Sequence, residues 1–175
     1  MALEGRATVA AVPAHASVAI RRAKAEDTRV VVRVYIDSWN GGFGHLLGRR
    51  VVDDALVGRW ERDLVAPPPS HWWVAERGGA IVGVAGVGAS RDPMDPALGE
   101  LDTLHVAPDS FRTGVGRALM EVALGQLNRD GYAEAVLWTV NHYPRGQRFY
   151  EAMGWRRDGR TRDDGRQLMY RHPLG

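Results

Sequence analysis

The sequence predicts an α/β fold of the α+β kind, a single domain on a mostly antiparallel mixed sheet flanked by helices. Three observations predict it. The chain has 175 residues, 45% hydrophobic and 25% charged, which suits one well-buried core. Strand-like segments come in pairs joined by tight polar turns, at Gly78-Gly79 and Asp163-Asp164-Gly165, as antiparallel neighbours do. Between them lie segments whose apolar residues recur every three or four positions. No repeat, linker or low-complexity block divides the chain.

Residues 1–16 read as a flexible N-terminal tail, and 17–175 as the domain. Val18–Arg21 makes a short first strand. Ala25-Glu26-Asp27 starts a helix, its acids suiting the positive end of the helix dipole. Val30, Val31, Val34, Tyr35 and Trp39 share one face of it, and Gly41-Gly42-Phe43-Gly44 ends it. Asp53 or Asp54 begins a second helix that buries Leu56, Val57, Trp60 and Leu64 and stops before Pro67-Pro68-Pro69. Trp72–Glu76 and Ala80–Val87 form a hairpin. Asp92–Pro96 is a loop into a strand from Glu100 to Val106. The helix from Gly114 places Val115, Leu119, Val122 and Leu127 on its stripe and ends near Asp130-Gly131. Ala135–Val140 is a buried strand and Arg145–Ala152 a short helix. Trp155–Thr161 and Gln167–Tyr170 close a sheet of about seven strands.

Composition excludes several functions. A net charge of only +2 gives no broad electrostatic footprint for nucleic acid. No apolar run approaches a membrane span, and residues 1–16 lack the basic start and apolar core of a signal peptide, so a cytoplasmic protein is expected. The absence of cysteine rules out disulfides, thiolate metal sites and a cysteine nucleophile. The six histidines have no spacing suited to zinc, so no metal is expected. A hydrolase is disfavoured because no Gly-x-Ser-x-Gly elbow occurs.

The most informative segment joins the strand ending at Val106 to the helix at Gly114. Its turn holds Gly114 and Gly116, flanked by Arg112 and Arg117. A helix start offers unpaired N–H groups and positive potential, and small residues let a ligand approach them, so this turn can cradle a pyrophosphate. A P-loop is excluded, because the only lysine is the distant Lys24. A dinucleotide fingerprint is incomplete, because Leu119 stands where its third glycine belongs.

That strand, Leu101-Asp102-Thr103-Leu104-His105-Val106, with the Gly114-x-Gly116 turn and Arg117-Ala118-Leu119-Met120, resembles the acetyl-CoA segment of GNAT-type N-acetyltransferases. Ala135–Asn141 followed by Arg148-Phe149-Tyr150-Glu151-Ala152-Met153-Gly154-Trp155 is similar to that family's second signature. The resemblance covers roughly residues 100–156. Two positions depart from the family pattern. Phe111 stands where the loop usually has Arg or Gln, and Tyr143 where an Asn often precedes the Phe by six residues.

The resemblance implies acetyl-CoA as acyl donor and a splay between the fourth and fifth strands that admits its pantetheine arm. Leu104, His105 and Val106 would pair with the arm, as a strand adds to a sheet edge. Arg112, Thr113, Gly114, Val115, Gly116, Arg117 and Ala118 would form the phosphate cradle, with Asn141 and Tyr143 beside the arm. Tyr150 matches the family's general acid, a phenol that stays protonated at neutral pH. For the base, strand alternation puts Glu100 and Asp102 on one face, Glu100 favoured, and His105 on the other. The acceptor pocket is expected near Trp39, Phe43 and His45, with Trp73 close by.

The acceptor is then a small-molecule amine or a peptide N-terminus. Without cysteine, direct attack by the amine on the thioester is the expected mechanism. The alternative is a non-catalytic acyl-CoA-binding sensor, for which the departures leave room. Retention of Tyr150 and a candidate base favours the enzyme. A homodimer through the last strands is compatible with the sequence, which contains nothing that demands it.

Overall fold

The computed structural model describes residues 17–92 and 94–175, so the expected tail at 1–16 lies outside the described residues. Strands β1 (Val18–Arg22), β2 (His71–Arg77), β3 (Ala80–Ala89), β4 (Gly99–Val106), β5 (Glu134–Val140), β6 (Arg156–Arg162) and β7 (Gln167–Pro173) form one sheet. Their order is β1-β2-β3-β4-β5-β7-β6. Every neighbouring pair is antiparallel except β4 with β5, which is parallel. The expected α+β architecture is therefore the observed one.

The helices are α1 (Thr28–Gly42), α2 (Gly44–Leu47), α3 (Asp54–Leu64), α4 (Val115–Arg129) and α5 (Pro144–Ala152). They bury two cores. On one sheet face Val31, Val32, Tyr35 and Ile36 of α1 and Trp60 and Leu64 of α3 pack on Trp72, Val74 and Val84. On the other, Val115, Leu119, Met120, Ala123 and Leu127 of α4 pack on Ala85, Leu101, Leu137 and Tyr170. Burial of such side chains contributes about 1.5–3 kcal/mol each. Asp53 caps α3 by accepting from the Leu56 N–H at 2.7 Å.

Three local expectations change. Ala25–Asp27 forms a 3-10 turn, and the α-helix starts only at Thr28. That helix ends at Gly42, within the expected Gly41–Gly44 segment. A Cβ at Gly42 would stand 3.1 Å from the Tyr143 hydroxyl, so the glycine serves packing against a distant side chain. Val30 falls off the buried stripe and is 45% exposed. Strand β7 extends to Pro173 because Arg171, a poor strand signal, is held in an acidic cluster.

That cluster fixes the entry to β4. Arg171 meets Glu134 at 2.8 Å, Asp95 at 3.0 Å, and also Asp158; Arg160 joins Asp158 at 2.9 Å and pairs with Asp95. Burial acts against ionisation of Asp95, yet Arg160 and Arg171 hold its carboxyl below the ordinary value. The loop before Gly99 is thus tied to β6 and β7.

Candidate active site

Parallel pairing of β4 with β5 is confined to Gly99 with Ala135 and Glu100 with Val136; beyond Glu100 the strands part. The gap opens into a cavity of about 460 Å³. Leu104, His105 and Val106 line it from β4, and Phe149 and Tyr150 from α5. The expected splay is present, and it leaves backbone of β4 facing a cavity instead of a neighbouring strand.

At one end lies the turn into α4. The chain passes a 3-10 turn at Pro108–Ser110, then Arg112 with φ 61° and Gly114 with φ 87°. The left-handed backbone at Arg112 costs on the order of 1 kcal/mol, so its surroundings must impose it. They do so through Thr113. Its hydroxyl donates to the Ser110 carbonyl at 2.6 Å, while Arg77 donates to its Oγ1 at 2.7 Å and to its carbonyl at 2.8 Å. Arg77 is only 5% exposed and meets no carboxylate among the described residues.

Helix α4 has no side-chain N-cap, and its first internal bond runs from the Ala118 N–H to the Gly114 carbonyl. The amides of Val115, Gly116 and Arg117 therefore lack helical partners. Ala118, expected in the cradle, has no amide to offer. The Val115 side chain is fully buried, so only its backbone faces the turn. Arg112, Arg117, Arg145 and Arg148 all border the cavity, which with the helix N-terminus makes a strong anion site. The guanidinium of Arg145 lies 4.8 Å from the centre of the Phe111 ring, so a cation from α5 stands beside the one loop position where Phe111 replaces the expected polar residue. Neither Arg145 nor Arg148 was anticipated. Their spacing of three on a helix opening with Pro144 was the available signal.

Tyr150 lies in the cavity floor, against Phe149 and Tyr170. Burial, reinforced by Tyr143, pushes its phenol above the ordinary value, so it is a hydrogen-bond donor throughout the neutral range. Tyr143 also lines the cavity. Its ring packs edge-on to Phe43 at 4.6 Å and fills the space left by Gly146, where a Cβ would stand 2.6 Å away. Asn141 is not brought to the cavity. Its amide donates to the Gly165 carbonyl at 3.0 Å and its Oδ1 accepts from the His142 N–H, so the side chain fastens the β6–β7 turn.

The candidate bases are arranged differently from strict alternation. Opposite β3, Thr103 pairs with Gly86 and Leu101 with Val87, which leaves Asp102 as the extra residue of a bulge. The bulge shifts the alternation by one, so Glu100 and His105 lie on the same sheet face, toward α1 and α3. Glu100 is 3% exposed, does not line the cavity, and accepts from the Arg91 N–H at 2.9 Å and its guanidinium at 3.4 Å. Asp102 also pairs with Arg91 and does not line the cavity either, but it keeps 28% of its side chain exposed. Burial, then Glu100 and Asp63, outweigh Arg91 and raise its carboxyl above the ordinary value. His105 lines the cavity, with Nδ1 3.1 Å from Ser38 Oγ and its ring 4.8 Å from Tyr35. Burial, then Arg50 and Arg59, lower its pKa to about 4, so it is neutral at pH 7.

The expected acceptor wall is partly assembled. Phe43 borders the cavity, with Trp39 5.2 Å away ring to ring. His45 is exposed on α2 and does not line it. Trp73 is misplaced by the expectation: it is buried in the core beneath α4, on the face opposite Trp39. Its neighbour Trp72 is the one that faces α1 and α3, because adjacent strand residues point to opposite faces.

Among the described residues, no group of acidic or histidine side chains is arranged to hold a metal.

The family model described as "Acetyltransferase (GNAT) family" matches residues 37–155. The chain is 25% identical over 128 residues to an uncharacterized N-acetyltransferase, YuaI, of Bacillus subtilis, covering 73% of this chain and 74% of that protein. It is 28% identical over 152 residues to a probable N-acetyltransferase of Mycobacterium tuberculosis, covering 83% of each. Among solved structures, the PaiA N-acetyltransferase of Thermoplasma acidophilum in complex with coenzyme A superposes with a TM-score of 0.71 at 16% identity, over 90% of this chain and 99% of that one. An acetyltransferase of Thermus thermophilus gives 0.73 at 20%, over 90% and 97%. These two likenesses speak for the fold.

Proposed function

The chain belongs to the GNAT acetyltransferase family, and on that premise we propose that it moves an acetyl group from acetyl-CoA to an amine by direct attack. One observation carries the reading: the splay of β4 from β5 opens a single cavity that joins a helix N-terminus ringed by arginines to a protonated phenol. A pyrophosphate-bearing thioester fits that pair of ends. The free amides at Val115–Arg117 and the guanidinium groups of Arg112, Arg117, Arg145 and Arg148 would hold its phosphates. Leu104–Val106 would pair with its extended arm, and a main-chain N–H near Val106 would polarise the thioester carbonyl.

The amine nitrogen forms the new C–N bond as the C–S bond breaks. Tyr150 supplies the proton for the departing sulfur. The ammonium proton goes to Asp102, directly or through water; its raised pKa makes it a better acceptor than an ordinary aspartate. Glu100, with its oxygens engaged by Arg91, positions that pair. With no cysteine to carry the acyl group, the amine itself is the nucleophile.

The test is thiol release from acetyl-CoA across a panel of primary amines, beside calorimetric titration with acetyl-CoA. Amine-dependent release supports the enzyme. Tight binding without release by any amine supports a non-catalytic acyl-CoA sensor instead.

A further inference from the structure

We propose that the acceptor amine also carries a carboxylate, and that Arg50, assisted by Arg59, is the site that binds it. The proposal rests on the acetyltransferase reading and names the class of its second substrate.

The segment between α2 and α3 is folded back over α1 rather than left open. Asn40 holds it on both sides: its Oδ1 accepts from the Arg50 N–H at 2.8 Å and its Nδ2 donates to the Arg50 carbonyl at 2.9 Å. Trp39 Nε1 donates to the Gly48 carbonyl at 3.0 Å. The Arg50 guanidinium is laid 3.5 Å from the centre of the Trp39 ring, and it donates to the Tyr35 hydroxyl. A backbone clamp, an aromatic platform and a phenol thus fix one cation in place. Such preorganisation is what a binding arginine needs, because little side-chain freedom remains to be lost.

This cation lacks the partner that its neighbours have. Arg91 is met by Glu100 and Asp102, and Arg59 by Asp63 at 3.7 Å. Among the described residues no carboxylate reaches ion-pair distance of Arg50. Arg59 instead adds to the positive charge, its guanidinium 6.0 Å from the Tyr35 ring that Arg50 approaches at 5.7 Å. Arg50 is exposed as a residue, yet partial desolvation of its guanidinium and repulsion from Arg59 both disfavour its charged form. An external carboxylate would relieve that repulsion, and guanidinium matches its geometry in a bidentate pair.

The location joins this cation to the reaction. Tyr35 contacts Arg50 on one side and stands edge-on to His105 on the other, at 4.8 Å. His105 lines the cavity where the thioester would lie. One ring therefore stands between the cation and the His105 wall of the cavity, which neither Tyr35 nor Arg50 lines. The acceptor would pass beside Tyr35 with its carboxylate on Arg50 and its amine toward His105. An amine without a carboxylate would leave the charge of Arg50 unmatched.

The test uses phenylalanine, phenylalaninamide and phenethylamine as acceptors in the thiol-release assay, with rates normalised to the unprotonated amine. The expected result is a kcat/KM for the amino acid about ten-fold or more above the other two. Arg50→Gln should bring that ratio to about one, Arg50→Lys should keep part of it, and acetyl-CoA titration of each variant reports whether the fold is intact. Equal or better use of the amide or phenethylamine by the native protein overturns the proposal while leaving acetyl transfer standing. Release with none of the three and with no amine in the wider panel overturns the acetyltransferase reading and this one with it. Release with panel amines but with none of the three overturns this proposal alone.

Discussion

Arg77 grips Thr113 twice, through Oγ1 at 2.7 Å and through the carbonyl at 2.8 Å, across 36 residues of sequence. The pair holds the Arg112–Gly114 turn in its left-handed shape, so the end of β2 sets the geometry of the proposed phosphate cradle. Arg77→Met should therefore weaken acetyl-CoA binding by about ten-fold or more and destabilise the fold by about 1–3 kcal/mol. Thr113→Val, which spares the carbonyl bond, should cost less. Isothermal titration and urea melts measure both; unchanged affinity in Arg77→Met would detach the clamp from the cradle.

Tyr150→Phe removes one hydroxyl from the cavity floor and leaves the ring packed against Phe149 and Tyr170. The expected loss is about 10²-fold or more in kcat, with acetyl-CoA affinity little changed. Full activity in the variant, measured where chemistry limits the rate, would remove Tyr150 as proton donor.

Asp102 and Glu100 should separate in their kinetics. Asp102→Asn should lower kcat and abolish the acid limb of its pH profile, which in the native protein lies above the usual aspartate range because the carboxyl is raised. Glu100→Gln should disturb stability more, since its carboxylate is buried on the Arg91 N–H. If Asp102→Asn keeps both the rate and the limb, the proton leaves by another route.

His105 makes the fold sensitive to acid. In the folded protein its pKa is about 4, against 6.5 for the free side chain, so below pH 6.5 the unfolded chain binds the extra proton. Its effect is absent above about pH 6.5, and stability is lost as pH falls from there toward 4, by about 3 kcal/mol at most. His105→Asn should flatten that part of the stability–pH curve. Denaturant midpoints at intervals across the range give the answer; parallel curves for the two proteins would contradict it.

The order of elements was legible because apolar strand runs, helix periodicity and turn residues are local signals, and the β2–β3 hairpin and α4 carry them between them. The Gly114–Arg117 turn and Tyr150 stood out as candidates because they occupy contiguous motifs, and both border the cavity. Other features depend on tertiary context. Gly42 lacks a Cβ because Tyr143, far along the chain, occupies the space beside it. The bulge at Asp102 changes which residues share a face, and no turn residue marks it. Trp72 and Trp73 are indistinguishable by type, so only strand register decides which of them faces α1. Arg50 acquires meaning only once Asn40, ten residues earlier, folds its loop back.

With only two residue pairs joining β4 to β5, the middle of the sheet carries a seam of uncommitted amides. Deep position and slow solvent exchange normally go together, but here they separate: backbone protons along the parted stretch of β4 should exchange like those of an outer strand. A ligand lying in the seam would protect them. Deuterium uptake at the centre of this sheet would then serve as a gauge of occupancy that needs no knowledge of the acceptor.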